Sequence, residues 1–317
     1  MSLLKPAANA AACLVLIGLS VEGMVVLTGS DHRWIDFLAQ FTGPALLAAT
    51  GLTLGCALLR LWPAVGVGGL ALLILFAAVW PQWMTPTGVR QPDQPVIRLY
   101  SANLWAPNTD VDAMAASIKA ADADIVVLVE VGDAPIAQLD RLLAGYPHRR
   151  VNGSKKLGHS LSRSVIASRY PITKKLPWRR DGLAAIGAVV STPLGPITVF
   201  GVHLTRPWPY EYQWGQITQV MALTERRKAA EPGTTIVACD FNSVSSARIG
   251  RQIKKDLSLV PAPGFPGTWP TRLPAVLGIT IDQVYRSPDL ALVGRRIGRP
   301  TGSDHYPVVT EFTRAKP

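Results

Sequence analysis

Six apolar segments of this 317-residue chain end or begin at a side chain able to bind a cation or carry a proton. Asn103 follows Leu99-Tyr100-Ser101-Ala102, Glu130 follows Val126–Val129, and His203 follows Val199–Val202. Asp240 and Asn242 close the run Ile236–Cys239, Asp282 sits inside Ile281-Asp282-Gln283-Val284, and Asp304-His305 precede Tyr306–Val309. One such residue is ordinarily a turn signal or a helix cap. Repeated six times, with carboxylates, amides and imidazoles on offer together, the pattern points to a shared site at a sheet edge.

That donor set suits a hard divalent cation and an anionic substrate. Mg2+, or Mn2+ in its place, prefers oxygen ligands: one or two carboxylates, waters and a substrate phosphate. The chain has no HExxH and no Cys/His spacing for zinc, no GxSxG nucleophile elbow, and no GxxxxGK[ST] phosphate loop. Cys13, Cys56 and Cys239 suggest neither a disulfide nor a metal site. A histidine whose tautomer is fixed by a carboxylate can exchange protons at neutral pH.

The motifs Ser-Ala-Asn103-Leu, Val-Val-Leu-Val-Glu130-Val, Ala167-Ser-Arg-Tyr-Pro-Ile172 and Gly-Val-His203-Leu come first in the chain. Cys-Asp240-Phe-Asn242, Gly267-Thr-Trp-Pro270, Ile-Asp282-Gln-Val and Gly-Ser-Asp304-His305-Tyr-Pro follow. In this order they resemble the endonuclease/exonuclease/phosphatase superfamily, most of all its bacterial membrane-tethered members. The resemblance runs from about Val96 to Phe312. It implies an α+β fold, a four-layer α/β/β/α sandwich of two sheets with helices outside, and metal-dependent phosphoester hydrolysis. It implies that Glu130 is the principal Mg2+ ligand, with Asn103 nearby and Asp304 on the same metal or its waters. Asp240 would orient or deprotonate the attacking water, and Asn242 would hold a non-bridging phosphate oxygen. His305, oriented by Asp282, would act as base or stabilise the transition state, and His203 would face the scissile phosphate. Two positions depart from the pattern: Cys239 stands where a Gly commonly precedes Asp-Phe-Asn, and Gln283 where His is frequent.

The elements that must position these groups are legible as alternating patterns. Strands are expected over Val96–Ala102 and Ile125–Val131, near Val165–Ala167, and over Ala184–Ser191, Ile197–His203 and Thr235–Asp240. Further strands are expected near Ile281–Tyr285 and Val308–Phe312. Asp110 can cap a helix whose apolar face is Val111, Met114, Ala115 and Ile118; a short helix is expected at Pro135–Ala144 and a longer one across Glu211–Lys228. Strands outnumber helices, which suggests two packed sheets with outer helices.

The first third is different. Only 17% of the chain is charged, yet the net charge is +11. Residues 1–92 hold seven charged side chains, and residues 93–317 carry the other 46, netting +10. Three apolar runs account for the gap: Pro6–Ser30, broken only by Glu22, then Phe37–Leu59 and Leu61–Met84. Each has the ~20 residues a membrane-spanning helix needs, and Trp34, Trp62, Trp80 and Trp83 sit at run ends. The expected organisation is a three-helix transmembrane anchor over 1–84, a stiff Pro-rich linker over 85–95, and a catalytic domain over 96–317. Lys5 leads the first helix and Asp31 and Asp36 follow it, which leans toward N-terminus in and catalytic domain out, on the periplasmic side of a bacterial inner membrane.

Substrate is less legible. Basic loops carry Lys155, Lys156, His159 and Arg163, then Lys174, Lys175, Arg179 and Arg180; after His203 come Arg206, Trp208, Tyr210, Tyr212 and Trp214. Of these, Arg163, Arg206, Trp208 and Tyr210 are the expected substrate contacts. Aromatics among cations stack nucleic-acid bases, and equally rest on an anionic lipid surface. Tethering tips the reading toward a lipid or small phosphoester, with the bilayer as partner. A membrane-tethered nuclease on DNA or RNA is the alternative, and a non-catalytic phospholigand-binding relative a second. A transporter or receptor is poorly supported, because only Glu22 is ionisable within the runs.

Overall fold

The computed structural model describes residues 4–153, 155–157, 160–207, 213–230 and 233–316. The chain opens with four helices: α1 (Leu4–Leu27), α2 (Arg33–Ala39), α3 (Thr42–Leu58) and α4 (Trp62–Trp83). Among the described residues α1 and α4 are each long and apolar enough to cross a membrane, and α2 with α3 makes a third candidate if the pair counts as one span. The run expected as one middle helix is bent by 57° between α2 and α3. Pro44, in the first turn of α3, has no N–H to give the Gln40 carbonyl, so a new helix starts there. The helices pack through small residues. A Cβ on Gly68 would lie 2.2 Å from Thr53 Oγ1, so α3 and α4 approach closely only because glycine is there. Leu16 and Leu75 fill the bundle interior, while Leu14, Leu54, Leu70 and Leu73 face outward.

The remaining elements run β1 (Ile97–Asn103), α5 (Val111–Ala121), β2 (Ile125–Val131), α6 (Asp133–Ala137), α7 (Leu139–Leu142), β3 (His148–Val151), β4 (Lys155–Leu157) and β5 (Ser160–Ser168). Then come β6 (Ile172–Lys175), β7 (Ala184–Thr192), β8 (Gly195–His203), α8 (Gln213–Ala229), β9 (Thr235–Asp240) and α9 (Arg248–Leu257). The last are β10 (Val260–Pro261), β11 (Asp282–Arg286), β12 (Leu290–Ile297) and β13 (Val308–Arg314). One sheet has the order β12-β13-β1-β2-β5-β3, with β4 added to β5; the other has the order β10-β11-β9-β8-β7-β6.

Each sheet has one parallel pair, β1 with β2 and β8 with β9, flanked by antiparallel neighbours. A parallel pair needs a crossover, which α5 and α8 provide. The two parallel pairs therefore end at one edge of the sandwich, and β11 and β13, antiparallel to β9 and β1, begin there. Ile97, Leu99, Val127, Val199, Ile236, Ala238 and Val284 fill the space between the sheets. Met114 and Ile118 of α5 cover the outside of one sheet, and Ile217, Val220, Ile249 and Ile253 of α8 and α9 the outside of the other. This is a four-layer sandwich.

Several elements lie outside the expected pattern. β3 and β6 are short, charged edge strands, and α9 shows only Ile249, Ile253 and Leu257 on a basic helix. The expected helix at Pro135–Ala144 is divided between α6 and α7. Residues 85–95 do not hang free: Thr87 O accepts from Leu292 N (2.7 Å), Val89 O from Lys316 N (2.8 Å), and Gln91 N donates to Arg314 O (2.9 Å). The sandwich also rests on the helices. Val244 and Ala247 pack against Val26, Ala39 and Ala78. Asp36 accepts from the Arg248 N–H at the start of α9, and Arg251 reaches Asp31 at 3.0 Å.

Candidate active site

Strand alternation dictates who meets whom. In β1 the inward positions run Ile97, Leu99, Ser101 and Asn103; in β9 they run Ile236, Ala238 and Asp240. His203 ends β8 on the inward phase of Ile197 and Val199, and Asp282 begins β11 on the phase of Val284. Four polar groups thus cap the inter-sheet core at one end. Glu130 arrives differently. On β2 its phase would point it outward with Val126 and Leu128, but the pairing slips from Leu128↔Val165 to Val131↔Arg163. This inserts one residue, and Glu130 takes φ +50. The bulge re-aims the carboxylate toward the edge.

The groups converge across both sheets. Asn103 Nδ2 donates to Glu130 Oε1 (2.9 Å) and to Asp240 Oδ2 (3.0 Å), while its Oδ1 accepts from Trp105 N (2.9 Å). His203 Nε2 lies 3.2 Å from Glu130 Oε1 and 3.7 Å from Asp240 Oδ2. Asn242 N holds Asp240 Oδ1 at 2.8 Å, and its side-chain Nδ2 donates to Leu204 O (2.8 Å) and Asp240 Oδ2 (3.3 Å). His305 Nδ1 meets Asp282 Oδ2 at 2.9 Å, and its Nε2 looks toward Asp240 Oδ2 (4.0 Å) and Asp304 Oδ1 (3.9 Å). All eight candidate catalytic and metal residues therefore fall in one cluster.

The electrostatics follow from burial. Asp240 is 1% exposed, and desolvation raises its pKa above the usual carboxylate range against the pull of His305 and His203. Burial opposes a charged His305, but the carboxylates of Asp282 and Asp240 outweigh it and hold its pKa up at about 10.

A metal fits this donor set. Glu130, His203 and Asp240 present ligand atoms within 4.8 Å of one another, as do Asp240, Asp282 and His305. Among the described residues, the buried Oδ1 atoms of Asp304 and Asp282 have no hydrogen-bond partner. Orphaned buried carboxylate oxygens call for a cation, a water or a donor.

The model of the endonuclease/exonuclease/phosphatase family matches residues 100–305, well over half of the sequence. The chain belongs to that family. Among solved structures, an endonuclease/exonuclease/phosphatase from Beutenbergia cavernae is similar at 21% identity and TM-score 0.56, over 69% of this chain and 72% of that one. A family protein from Bacteroides thetaiotaomicron matches at 16% identity and TM-score 0.56, over 71% and 100%. The Neisseria 3′ phosphatase NExo, bound to product DNA hairpin, matches at 21% identity and TM-score 0.52, over 68% and 99%. At these identities the likeness is one of fold. Among curated protein sequences none matches the chain. Members of the family are metal-dependent phosphoesterases and nucleases.

The expected substrate contacts are less unified. Arg163 is at the site edge of β5, beside the Glu130 bulge, but its guanidinium is engaged by Asp133 at 2.9 Å. Arg206 is exposed just beyond His203. Trp208 and Tyr210 lie outside the described residues, as do His159 and Tyr212. Lys174 and Lys175 sit on edge strand β6, away from the site.

Other residues take part that carried no role in the sequence reading. Trp269 Nε1 donates to Asp304 Oδ2 (3.2 Å), and Thr268 Oγ1 accepts from Asp282 N (3.1 Å); their motif was visible, but not whom it touches. Gln216 of α8 ties the carbonyls of Phe241 and Asn242 (3.2 Å each). Trp105 is 43% exposed at the rim. Cys239 adopts φ +105, a conformation that glycine takes without cost, which explains why Gly suits that position. Gln283 turns away from the site to the carbonyls of Thr280 and Ser243.

Proposed function

We propose that this chain is a membrane-anchored, Mg2+-dependent phosphoesterase that hydrolyses a phosphodiester or phosphomonoester by in-line attack of water. The observation that carries the reading is the convergence of Glu130, Asn103, His203 and Asp240 from both sheets, with the Asp282–His305 pair beside them. Glu130 and Asp304 would hold the metal, Asn103 fixing Glu130 and Trp269 fixing Asp304. When bound, the ion supplies a Lewis acid for charge growing on the phosphoryl oxygens. Asp240, its proton affinity raised by burial, orients the water and takes its proton. Asn103 and the Asn242 backbone N–H hold the two oxygens of that base; Asn242 Nδ2 reaches a phosphate oxygen by releasing its longer bond to Asp240. His305, with Nδ1–H spent on Asp282, offers Nε2–H to the phosphoryl group. His203 faces the scissile phosphate.

Residues 1–84 would be the anchor, 85–95 the linker and 96–317 the catalytic domain. Lys5 and Arg60 lie together at the helix ends far from the sandwich, and Arg33 and Arg90 flank the near ends, so the basic residues are evenly shared. The first helix usually dominates, and its leading Lys5 leans toward a catalytic domain on the outer, periplasmic side of a bacterial inner membrane. A lipid or small phosphoester fits a tethered site. The Neisseria neighbour, a 3′ phosphatase bound to DNA, keeps nucleic acid as the second reading.

The test is hydrolysis by the purified full chain with Mg2+ and with EDTA, against DNA, RNA, phospholipids, inositol phosphates and bis(p-nitrophenyl) phosphate. Turnover that Mg2+ or Mn2+ restores after EDTA is expected. No turnover of any ester with either ion would favour a non-catalytic phospholigand binder.

A further inference from the structure

The loop that joins β10 to β11 carries four large apolar side chains that the chain leaves uncovered: Phe265, Leu273, Val276 and Leu277 are between 40% and 48% exposed. The loop is built, not slack. Gly267 N donates to Ala275 O (2.8 Å), Trp269 and Ile279 exchange backbone hydrogen bonds (3.0 and 2.8 Å), and Tyr306 Oη donates to Leu273 O (3.2 Å). Its apolar tip is therefore held outward by the fold.

The same loop touches both the helices and the site. Gly264 N donates to Gln82 O (2.7 Å), the Phe265 ring lies 4.9 Å from Trp83, and the short 3-10 turn Ala275–Leu277 packs on α3. On the other side, Trp269 Nε1 and Thr271 N donate to the side chain and carbonyl of Asp304. Trp83 is the last residue of α4, where an indole of a spanning helix sits at headgroup depth. Phe76, Trp80 and Trp83 follow i, i+4, i+7 on one helix face, and Phe76 and Trp80 are 45% and 48% exposed. One apolar stripe thus continues from the outward face of α4 through Phe265 to the loop tip, where Arg272 is exposed among the apolar residues.

We propose that the loop from Gly264 to Ile279 is seated in the headgroup layer of the bilayer that holds the helices, and that the site takes its phosphoester from that bilayer. The substrate is then a lipid whose headgroup ester reaches Asp240 and His305 while its chains stay among the lipids. The seating rests on the anchor reading, and the lipid substrate rests in addition on the phosphoesterase reading. Continuity with α4 favours a bilayer over a protein as the occupant of this surface.

Two measurements test it on the full chain in vesicles of phosphatidylcholine and phosphatidylglycerol. Cys13→Ser and Cys56→Ser remove the thiols of the helices, and buried Cys239 stays. A nitroxide on Val276→Cys is compared with one on exposed Lys119→Cys of α5. The label at 276 is expected to collide more with oxygen than with a water-soluble nickel chelate, and the label at 119 the reverse. A label at 276 that behaves like the one at 119 overturns the seating, whether water or a protein then covers the loop. The second measurement compares the triple variant Leu273→Ser, Val276→Ser, Leu277→Ser with the unaltered chain. It reads hydrolysis of vesicle-embedded hexadecyl p-nitrophenyl phosphate and of soluble bis(p-nitrophenyl) phosphate. A fall of at least about tenfold for the embedded ester only is expected. Equal rates for the two chains, or equal falls for both esters, overturn the lipid substrate. If the unaltered chain hydrolyses neither ester, the lipid substrate is overturned; turnover of any other ester of the panel above then keeps the phosphoesterase reading, its absence ends that reading too, and the nitroxide result still decides the seating.

Discussion

Replacing Asp282 with Asn keeps the shape of a side chain that is 1% exposed and removes the charge that faces His305. At the observed 2.9 Å, two unit charges in an effective dielectric of ~20 attract by roughly 6 kcal/mol. The amide keeps a neutral hydrogen bond of about 1 kcal/mol, so the net loss falls near the 3–5 kcal/mol typical of a broken buried pair. His305 then loses much of its hold on the proton that, in the proposed mechanism, it offers to the phosphoryl group. If the transition state feels all of this, turnover falls between about one hundred- and several thousand-fold, at ~1.4 kcal/mol per factor of ten. KM should stay within about threefold, because Asp282 is sealed from substrate. The assay is Mg2+-dependent hydrolysis of bis(p-nitrophenyl) phosphate by the detergent-solubilised full chain, with circular dichroism as the check on folding. An Asp282→Asn chain that folds and keeps more than about a third of the normal kcat would refute the reasoning.

Other outcomes follow from particular contacts. Trp269→Phe removes the indole donor to Asp304, so the Mg2+ concentration for half-maximal activity should rise roughly 10–100-fold, as read by metal titration. Gly132→Ala would place a Cβ 2.0 Å from Ala106 O, beside the backbone N–H that faces Glu130. It should cost about 1–3 kcal/mol of stability and lower turnover. Gly145→Ala, with open space around it, should change neither. Burial would raise the pKa of Asp181, but its bonds to Arg226 prevail and hold it below the usual value. A depressed acid adds stability that is complete above the unfolded pKa of ~4 and is lost as pH falls through the folded value. Asp181→Asn should therefore be less stable at neutral pH by no more than about 1 kcal/mol, because Asp181 is exposed and screened by solvent and Arg226 keeps the Leu183 and Ala185 carbonyls. The gap between the two melting curves should close below about pH 4.

Much of the site was legible because strand alternation and strand-end chemistry agree. A polar residue on the inward phase of an apolar strand has only the strand end in which to sit, and Asn103, His203, Asp240 and Asp282 all obey this. Glu130 obeys it only through a bulge, which no alternating pattern announces. The partnership of Trp269 with Asp304 spans 35 residues and depends on how one loop folds back. The break between α2 and α3 was hidden because the apolar count continues through it, while Pro44 decides the geometry. α9 escaped notice because three apolar residues suffice to seat it on the sheet, and its basic groups meet Asp31 of the helical loop instead of forming a pattern of their own.

Metal-assisted hydrolysis at the convergence of both sheets, as proposed, depends most directly on Glu130. Glu130→Gln keeps a side chain able to bond Asn103 and takes away the proposed anionic ligand. Turnover of bis(p-nitrophenyl) phosphate across a Mg2+ titration should fall at least about a thousandfold in a chain that still folds. A folded Glu130→Gln chain that hydrolyses the ester at the unaltered rate, with the same Mg2+ dependence, would contradict the account.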